Sequence, residues 1–240
     1  MKVIQFVPTL DSGGVEQGVL EMSRALIENH HESHVVSAGG RLVDQLIQDG
    51  THHHKWDLHK KNLLTFRHVR PLRKWIISMN PDVVHVRSRM PAWIVWQSLK
   101  GIPLNKRPTL VSTIHGLYSV NFYSAIMSKP HNIITVSKSA NKYLVKNYTK
   151  SSDKNIKLIY RGVDTSEYHK NYKPNQEWLN EWYKDYPDTK DTKLLTIAGR
   201  ISPLKDFEKI ISLAVSIKDK SSHKIKILIA GEAKDKHQKY

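Results

Sequence analysis

The fold is decided by the opening stretch KVIQFVPTLDSGGVEQGVLEMSRALIE, residues 2–28. Val3–Val7 is an apolar run that ends at Pro8, as expected of a strand that is covered on both faces. Gly14–Glu28 places its apolar residues near helical spacing, which predicts an amphipathic helix. A strand, a turn containing the pair Gly13-Gly14, and a helix together predict the first βα unit of a parallel sheet.

The same alternation of short apolar runs and amphipathic stretches recurs along the chain. Further strands are predicted at His34–Ala38, Asp82–Arg87, Leu110–Ile114, Asn132–Val136 and Ile156–Tyr160. Intervening helices include Pro91–Lys100 and Lys138–Tyr148, for which Ser137 is a suitable N-cap. This order predicts an α/β protein with a Rossmann-like parallel sheet covered by helices on both faces. The first domain is expected to span residues 1–165.

A second α/β region is predicted after a polar, aromatic linker. Residues 166–192 contain prolines and tryptophans and are expected to form a linker with one short helix. Leu194–Ala198 and Lys224–Ala230 are predicted strands on either side of a helix at Asp206–Ile217, and Lys- and His-rich residues follow. A domain of this kind takes about another 100 residues to close its sheet. Residues 193–240 are therefore expected to be an incomplete second Rossmann-like domain.

The composition excludes several classes of protein. The chain has 240 residues, no cysteine and a net charge of +16. Without cysteine there is no disulfide framework, no thiolate metal site and no Cys nucleophile. No signal peptide is evident, and no apolar run reaches the roughly 20 residues that span a bilayer. We therefore expect a cytoplasmic protein, soluble or peripheral on the inner face of the membrane.

The positive charge suggests three kinds of partner: nucleic acid, an anionic membrane surface, or a phosphorylated small molecule. No recognised nucleic-acid motif supports the first. Residues 52–107 carry many lysines and arginines against only Asp57 and Asp82. Within them Asn62–Met79 mixes cations with large apolar residues, as helices on anionic bilayers do, and Pro71 is expected to kink or break it. The alternative is an ordinary amphipathic helix with a solvated basic face.

Three turns between a strand and a helix carry candidate functional residues. Gly13 and Gly14 precede a helix N-terminus, where a phosphate is stabilised by free amides and the helix dipole. His115 lies where a predicted strand ends, the edge at which parallel sheets bind ligands. Arg200 and Lys205 bracket a third such turn and are suited to neutralising phosphates. By contrast, His52-His53-His54 lacks acidic partners and is expected to be a flexible loop rather than a metal site.

Six segments, in order along the chain, resemble motifs of the GT4 family of retaining glycosyltransferases, whose GT-B fold has two Rossmann-like domains. They correspond to the glycine-rich first loop, the PDVVHxH strand, the THG and ITVS segments, the NGVD turn and the GRL…KG loop. In this sequence they are Gly13–Glu16, Pro81–Arg87, Thr113–Gly116, Ile134–Ser137, Gly162–Asp164 and Gly199–Lys205.

The resemblance implies a nucleotide-diphosphate sugar donor, bound between the domains and used with retention and without a metal or other cofactor. By matched position, Gly13, Gly14, Arg200 and Lys205 would bind the donor, and His115 would be the catalytic residue near the donor sugar. The acceptor would be a cell-surface glycan or a lipid-linked molecule, as in lipopolysaccharide biosynthesis. Residues 1–165 would form the acceptor side, and residues 193–240 would belong to the nucleotide-sugar-binding domain.

The sequence departs from the family pattern. Arg161 replaces the asparagine of the NGVD turn, and Asp206 replaces the glycine that follows the family's lysine. The family's E-x7-E segment would lie beyond Tyr240. Two other hypotheses therefore stay open: an inactive truncated remnant, or a nucleotide-binding subunit that needs a partner chain for the missing C-terminal part. A basic nucleic-acid-binding α/β module and a sugar-nucleotide epimerase of the same fold are further alternatives.

Overall fold

The computed structural model describes residues 1–148, 154–166, 168–218, 220 and 224–233. The chain consists of two compact units, Met1–Gly162 and Val163–Tyr240. The Lys- and His-rich residues 234–240, predicted as the end of the second domain, lie outside the described residues.

The first unit is built on a seven-stranded, entirely parallel sheet. Its strands are β1 (Lys2–Phe6), β2 (Glu32–Ser37), β3 (His52–Lys55), β4 (Val83–Val86), β5 (Thr109–Ile114), β6 (Asn132–Thr135) and β7 (Asn155–Leu158). Their spatial order is β3-β2-β1-β4-β5-β6-β7, so the direction of winding reverses between β1 and β4. In open sheets of this kind, ligands bind beyond the carboxyl ends of the strands at such a switch point.

Five α-helices connect these strands and cover both faces of the sheet. They are α1 (Gly14–Glu28), α2 (Val43–Gln48), α3 (Val69–Met79), α4 (Arg89–Lys100) and α5 (Lys138–Asn147). One apolar cluster joins β2 and Val7, which directly follows β1, to α1 and α2, while a larger one packs the other face of the sheet against α3, α4 and α5. Ile4 and Phe6 of β1 are fully buried in the larger cluster. The α/β, Rossmann-like fold predicted from the sequence is confirmed.

The prediction of a flexible loop at His52-His53-His54 was wrong, because these residues form most of the edge strand β3. They pair in parallel with β2, from His34 opposite His52 to Ser37 opposite Lys55. The ring of His54 lies 3.0 Å from that of His34, and His53 shares a 2.8 Å hydrogen bond with the Ser37 hydroxyl. Pairing with β2 and polar contacts hold this strand. Its sequence therefore lacks the apolar alternation from which a strand is predicted.

Pro71 does not break the helix in which it lies. A 3₁₀ helix spans Leu63–His68, and α3 begins directly afterwards at Val69. Pro71 is the third residue of α3, in the first turn, where a missing amide removes no intrahelical bond. The segment is therefore two consecutive helical pieces, and they join two residues before the proline.

The second unit contains a two-stranded parallel sheet of β8 (Lys193–Ala198) and β9 (Ile225–Ala230). Helix α6 (Gln176–Asp185) precedes the sheet, and α7 (Phe207–Lys218) connects its strands. The Asn175 side chain caps α6 by accepting a hydrogen bond from the amide of Trp178. Gly231 follows β9 so close to Gly199 that an added Cβ would lie 1.9 Å from the Gly199 carbonyl oxygen. Glycine is therefore required where the two strands end.

Candidate functional site

The turn between β1 and α1 lies at the switch point of the sheet. Gly13 is the N-cap of α1 and has φ 144°, a backbone conformation that favours glycine. A Cβ there would also come within 2.6 Å of a Glu16 carboxylate oxygen, because that side chain folds back over the N-cap. Gly13 and Gly14 are both exposed. The turn thus offers open backbone at the end of β1.

His115 follows the carboxyl end of β5 and is largely enclosed. Among the described residues, neither of its ring nitrogens has a hydrogen-bond partner. Burial, assisted by the charges of Arg87 and Arg161, lowers the pKa of His115 to about 3. The ring is therefore neutral at physiological pH. A neutral imidazole offers one donor and one acceptor to a ligand.

A second histidine, His85, lies within the sheet on β4, the strand that pairs with β5. His85 of β4 shares a 2.7 Å hydrogen bond with the Thr113 hydroxyl of β5. Complete burial lowers the pKa of His85 well below its usual range, with Arg87 and His115 contributing. His85 is thus a neutral, satisfied core residue that helps to hold the ends of β4 and β5 together.

Arg87 directly follows β4 and is 7% exposed. Its Nε is buried and has no hydrogen-bond partner among the described residues. Burial and, next, the charge of Arg161 lower the pKa of Arg87 to about 10, so the guanidinium stays charged at neutral pH. This residue occupies the last position of the PDVVHxH-like strand, where the family motif has histidine.

Arg161 reaches back across the first helix. Its Nη1 donates to the carbonyl oxygen of Gly14, and its Nη2 lies 3.5 Å from the Glu21 carboxylate. A Cβ at Gly18 would lie 2.9 Å from Nη2, so the helix has a glycine where the guanidinium crosses it. Arg87, His115 and Arg161 are close enough that each arginine lowers the pKa of the histidine.

The sequence singled out His115, Gly13 and Gly14 but not the two arginines as site residues. Its only signals for them were two departures from the family motifs, arginine for histidine at Arg87 and arginine for asparagine at Arg161. The structure brings both arginines and His115 to one edge of the first unit.

The remaining predicted residues lie in the second unit. Gly199 follows β8 with φ 147°, and a Cβ there would lie 3.4 Å from Cε of Lys205. Arg200 and Lys205 are exposed. Asp206 adopts a left-handed conformation, φ 53° and ψ 56°, which aspartate tolerates better than most residues. Asp206 thus has a backbone conformation that glycine also adopts readily.

A cavity of about 500 Å³ opens beside the 3₁₀ helix Leu63–His68, on the carboxyl side of the first sheet. It is lined by Lys61, Asn62, Leu63, Phe66, Arg89, Met90, Asn121 and Tyr123. The Arg89 guanidinium lies over the rings of Tyr118 and Tyr123, at 4.9 and 5.1 Å, and Nη1 donates to Ser124. Around the cavity, Leu63 is 87% exposed, Leu64 71% and Phe122 79%. We call Leu63, Leu64 and Phe122 the exposed apolar patch.

Within the described residues, no group of three or more His, Asp or Glu is placed to hold a metal ion. Nor does any helix in the described part of the chain have the length and apolar character needed to cross a membrane.

The parallel sheet and the reversal at β1 and β4 define a Rossmann-like α/β protein. The model of Glycosyltransferase Family 4 matches residues 12–167. The chain belongs to this family, which confirms the resemblance inferred from the motifs. No curated protein matches the sequence significantly.

Solved structures give the same result for the fold. A glycosyltransferase from Rickettsia africae ESF-5 is 26% identical, with a TM-score of 0.76, and the match covers 96% of this chain and 60% of that one. Anabaena Alr3699/HepE, solved with UDP and glucose, is 14% identical with a TM-score of 0.74, covering 100% and 63%. WaaG, a glycosyltransferase involved in lipopolysaccharide biosynthesis, is 10% identical with a TM-score of 0.68, covering 98% and 64%. The chain thus spans about 60% of the length of these proteins.

Proposed function

We propose that the protein takes part in transferring a sugar from a nucleotide-diphosphate sugar to a glycan or lipid-linked acceptor, with retention and without a metal. The observation that carries this proposal is the neutral, enclosed His115, unpartnered among the described residues, at the carboxyl edge of a family 4 sheet. Anabaena HepE, which has a similar fold, was solved with UDP-glucose. In this proposal residues 1–165 form the acceptor side, 166–192 a linker and 193–240 part of the donor-binding domain.

Each proposed site residue has a chemical task. His115 donates a hydrogen bond to the donor sugar or to the departing oxygen, which a neutral ring does without repelling nearby arginines. Arg200 and Lys205 bind the diphosphate, whose negative charge grows as the glycosidic bond breaks. Open backbone at Gly13 and Gly14 allows phosphate oxygens to approach the end of α1. Two cations would thus do the work that a metal ion does in other transferases.

The test is nucleotide binding by the purified chain. Thermal unfolding is measured with UDP, GDP and ADP for the wild type, Arg200→Ala and Lys205→Ala. We expect one nucleotide to raise Tm, and both substitutions to remove the shift. Lys184→Ala, which removes an exposed lysine from α6, is the matched control and should keep the shift. An unchanged shift in Arg200→Ala and Lys205→Ala would show that these residues do not bind the donor.

We further propose that the protein works at the inner face of an anionic membrane. Leu63, Leu64 and Phe122 expose apolar surface beside Lys60, Lys61 and Arg67, the combination found in proteins that lie on anionic bilayers. All belong to connections that leave the carboxyl ends of strands, where His115 also lies. A lipid-linked acceptor would then reach the site from the bilayer.

Vesicle flotation tests the membrane proposal. Binding to phosphatidylglycerol vesicles, but not to phosphatidylcholine vesicles, is expected, and Leu63→Ser with Leu64→Ser should reduce it. Leu104→Ser is the control, because Leu104 is 80% exposed but precedes β5, at the opposite edge of the sheet. Equal loss with the control variant would contradict a defined membrane-binding face.

A further inference from the structure

Two arginines lie at the carboxyl edge of the first sheet with incomplete charge compensation. Arg87 is 7% exposed and forms an ion pair with none of the described carboxylates. Arg161 pairs with Glu21 at 3.5 Å, and Glu21 is the carboxylate that also raises the pKa of Arg87. Among the described residues, the two guanidinium groups thus have the Glu21 carboxylate between them, and Arg87 is the enclosed member of the pair.

This arrangement costs stability in the unliganded protein. Burying a charged group without a hydrogen-bonded partner is unfavourable, and two nearby like charges add to that cost. The buried Nε of Arg87 bonds to no described residue, so no hydrogen bond at that atom accounts for a guanidinium at position 87. A planar guanidinium that is enclosed and has no described partner is suited to bidentate binding of a phosphate or carboxylate.

We propose that Arg87 and Arg161 bind an oxyanion carried by the acceptor, so that the acceptor is a phosphorylated or acidic glycan rather than a neutral one. This inference rests on the proposed glycosyl transfer and specifies the acceptor for the same site. Arg87 and His115 directly follow the paired strands β4 and β5, and Arg161 contacts Gly14 at the start of α1, which follows β1 beside β4. An acceptor held by its oxyanion would therefore have its hydroxyls in the neighbourhood of the proposed catalytic ring. In the proposed function the donor diphosphate already has Arg200 and Lys205.

Gly18 supports a positional role for Arg161. Its missing side chain leaves room for the guanidinium, which an added Cβ would meet at 2.9 Å for Nη2 and 3.2 Å for Cζ. At the other end, Nη1 is held by the Gly14 carbonyl oxygen. The Gly14 carbonyl oxygen and the space at Gly18 thus orient the two terminal nitrogens of the Arg161 guanidinium along α1.

The experiment compares charged and neutral sugars as probes. Thermal unfolding and calorimetric titration of the 240-residue chain are carried out with glucose 6-phosphate and methyl glucuronoside, and with glucose and methyl glucoside as neutral counterparts. We expect the anionic probes to bind at least ten-fold more tightly than the neutral ones. Arg87→Gln and Arg161→Gln should each lose that preference, whereas Arg87→Lys should retain part of it. Arg67→Gln, at an exposed position, is the control and should keep the full preference.

A structural role for Arg87 would give a different set of results. If the arginine only stabilises the fold, Arg87→Gln lowers Tm of the unliganded protein. If it is retained for binding, the same variant unfolds at an equal or higher Tm, because an unpaired buried charge has been removed. A lower Tm together with unchanged glucose 6-phosphate binding would overturn the proposal.

Nucleotide binding distinguishes a failure of this inference from a failure of the proposed function. The shift caused by the responding nucleotide should survive in Arg87→Gln while the sugar-phosphate preference is lost. If the nucleotide shift disappears in Arg87→Gln and the nucleotide competes with glucose 6-phosphate, the arginines serve the donor and the acceptor assignment is wrong. Absence of any nucleotide shift in the wild type counts against the proposed function, whereas equal binding of glucose and glucose 6-phosphate counts against this inference alone.

Discussion

The charged groups of the two units differ in how much water they have lost. In the first unit, Arg87 and His115 are enclosed and their pKa values are strongly lowered by burial. In the second, Arg200 and Lys205 stand exposed on the loop after β8. Enclosed groups lose their hydration during folding, which lowers the free energy of unfolding of the unliganded protein. Exposed groups lose it only on binding. Mutations of the enclosed groups Arg87 and His115 should therefore change stability, whereas mutations of the exposed groups should change affinity alone.

The largest expected effect is acid destabilisation of the first unit. The pKa of His115 falls from 6.5 in the unfolded chain to about 3, and burial also lowers the pKa of His54 to about 4. Between these values and 6.5 the unfolded chain binds more protons than the folded one, so stability falls as pH falls. The slope is up to about 1.4 kcal/mol per pH unit for each such histidine.

Urea unfolding at pH 7 and pH 4.5 measures this effect. The loss of unfolding free energy at the lower pH should be smaller in His115→Gln than in the wild type. His131→Gln, at an exposed position, is the control and should behave like the wild type. An equal loss in all three proteins would mean that His115 stays protonatable in the folded chain.

The second effect belongs to the exposed loop of the second unit. Arg200→Ala should weaken binding of the responding nucleotide roughly 10- to 100-fold, the range for loss of a charge-assisted hydrogen bond. Tm of the unliganded protein should stay the same, because the side chain is exposed. Calorimetric titration and thermal unfolding of one preparation give both values. A lower Tm without ligand would remove the contrast between the two units.

The third effect concerns the hydrogen bond between Thr113 and His85. Thr113→Val removes the hydroxyl that lies 2.7 Å from the buried ring and leaves that nitrogen unpaired. We expect a loss of about 1–3 kcal/mol in the free energy of unfolding, from urea titrations at pH 7. Thr109→Val, at an exposed position of the same strand, makes the same chemical change and should have little effect.

Most helices and strands of the first unit could be predicted from the sequence because the patterns that indicate them are local. The apolar spacing of Gly14–Glu28 and the glycines before it predicted α1 with the bounds that the structure shows. Ser137 was correctly identified as an N-cap, since its hydroxyl accepts from the Ala140 amide. The edge strand β3 was missed because three histidines carry no apolar alternation, and pairing with β2 holds them.

The enclosed part of the site could not be predicted in the same way. Position at the end of a strand was enough to select His115, but charge and motif position do not reveal burial. Arg87 and Arg161 belong to segments far apart in sequence, and Arg161, which follows the edge strand β7, comes near β4 only because its side chain contacts α1. Asp206 illustrates the reverse case, because the residue that departs from the family motif adopts a left-handed conformation, which glycine also adopts readily.

Gly18→Ala provides the smallest and sharpest test of the comparison. Within a helix, alanine is favoured over glycine by about 1 kcal/mol, so α1 itself should gain stability. The new Cβ would lie 2.9 Å from Nη2 of Arg161, and a guanidinium at the end of a long side chain moves aside at little cost. Urea unfolding should therefore show unchanged or slightly raised stability, while the preference for glucose 6-phosphate over glucose declines.

Gly50→Ala is unsuitable as a control because Gly50 has φ 86°, so the exposed Gln17→Ala on the same helix is used. A decline in stability without a decline in preference would indicate that Arg161 supports the fold of α1 rather than binding the acceptor.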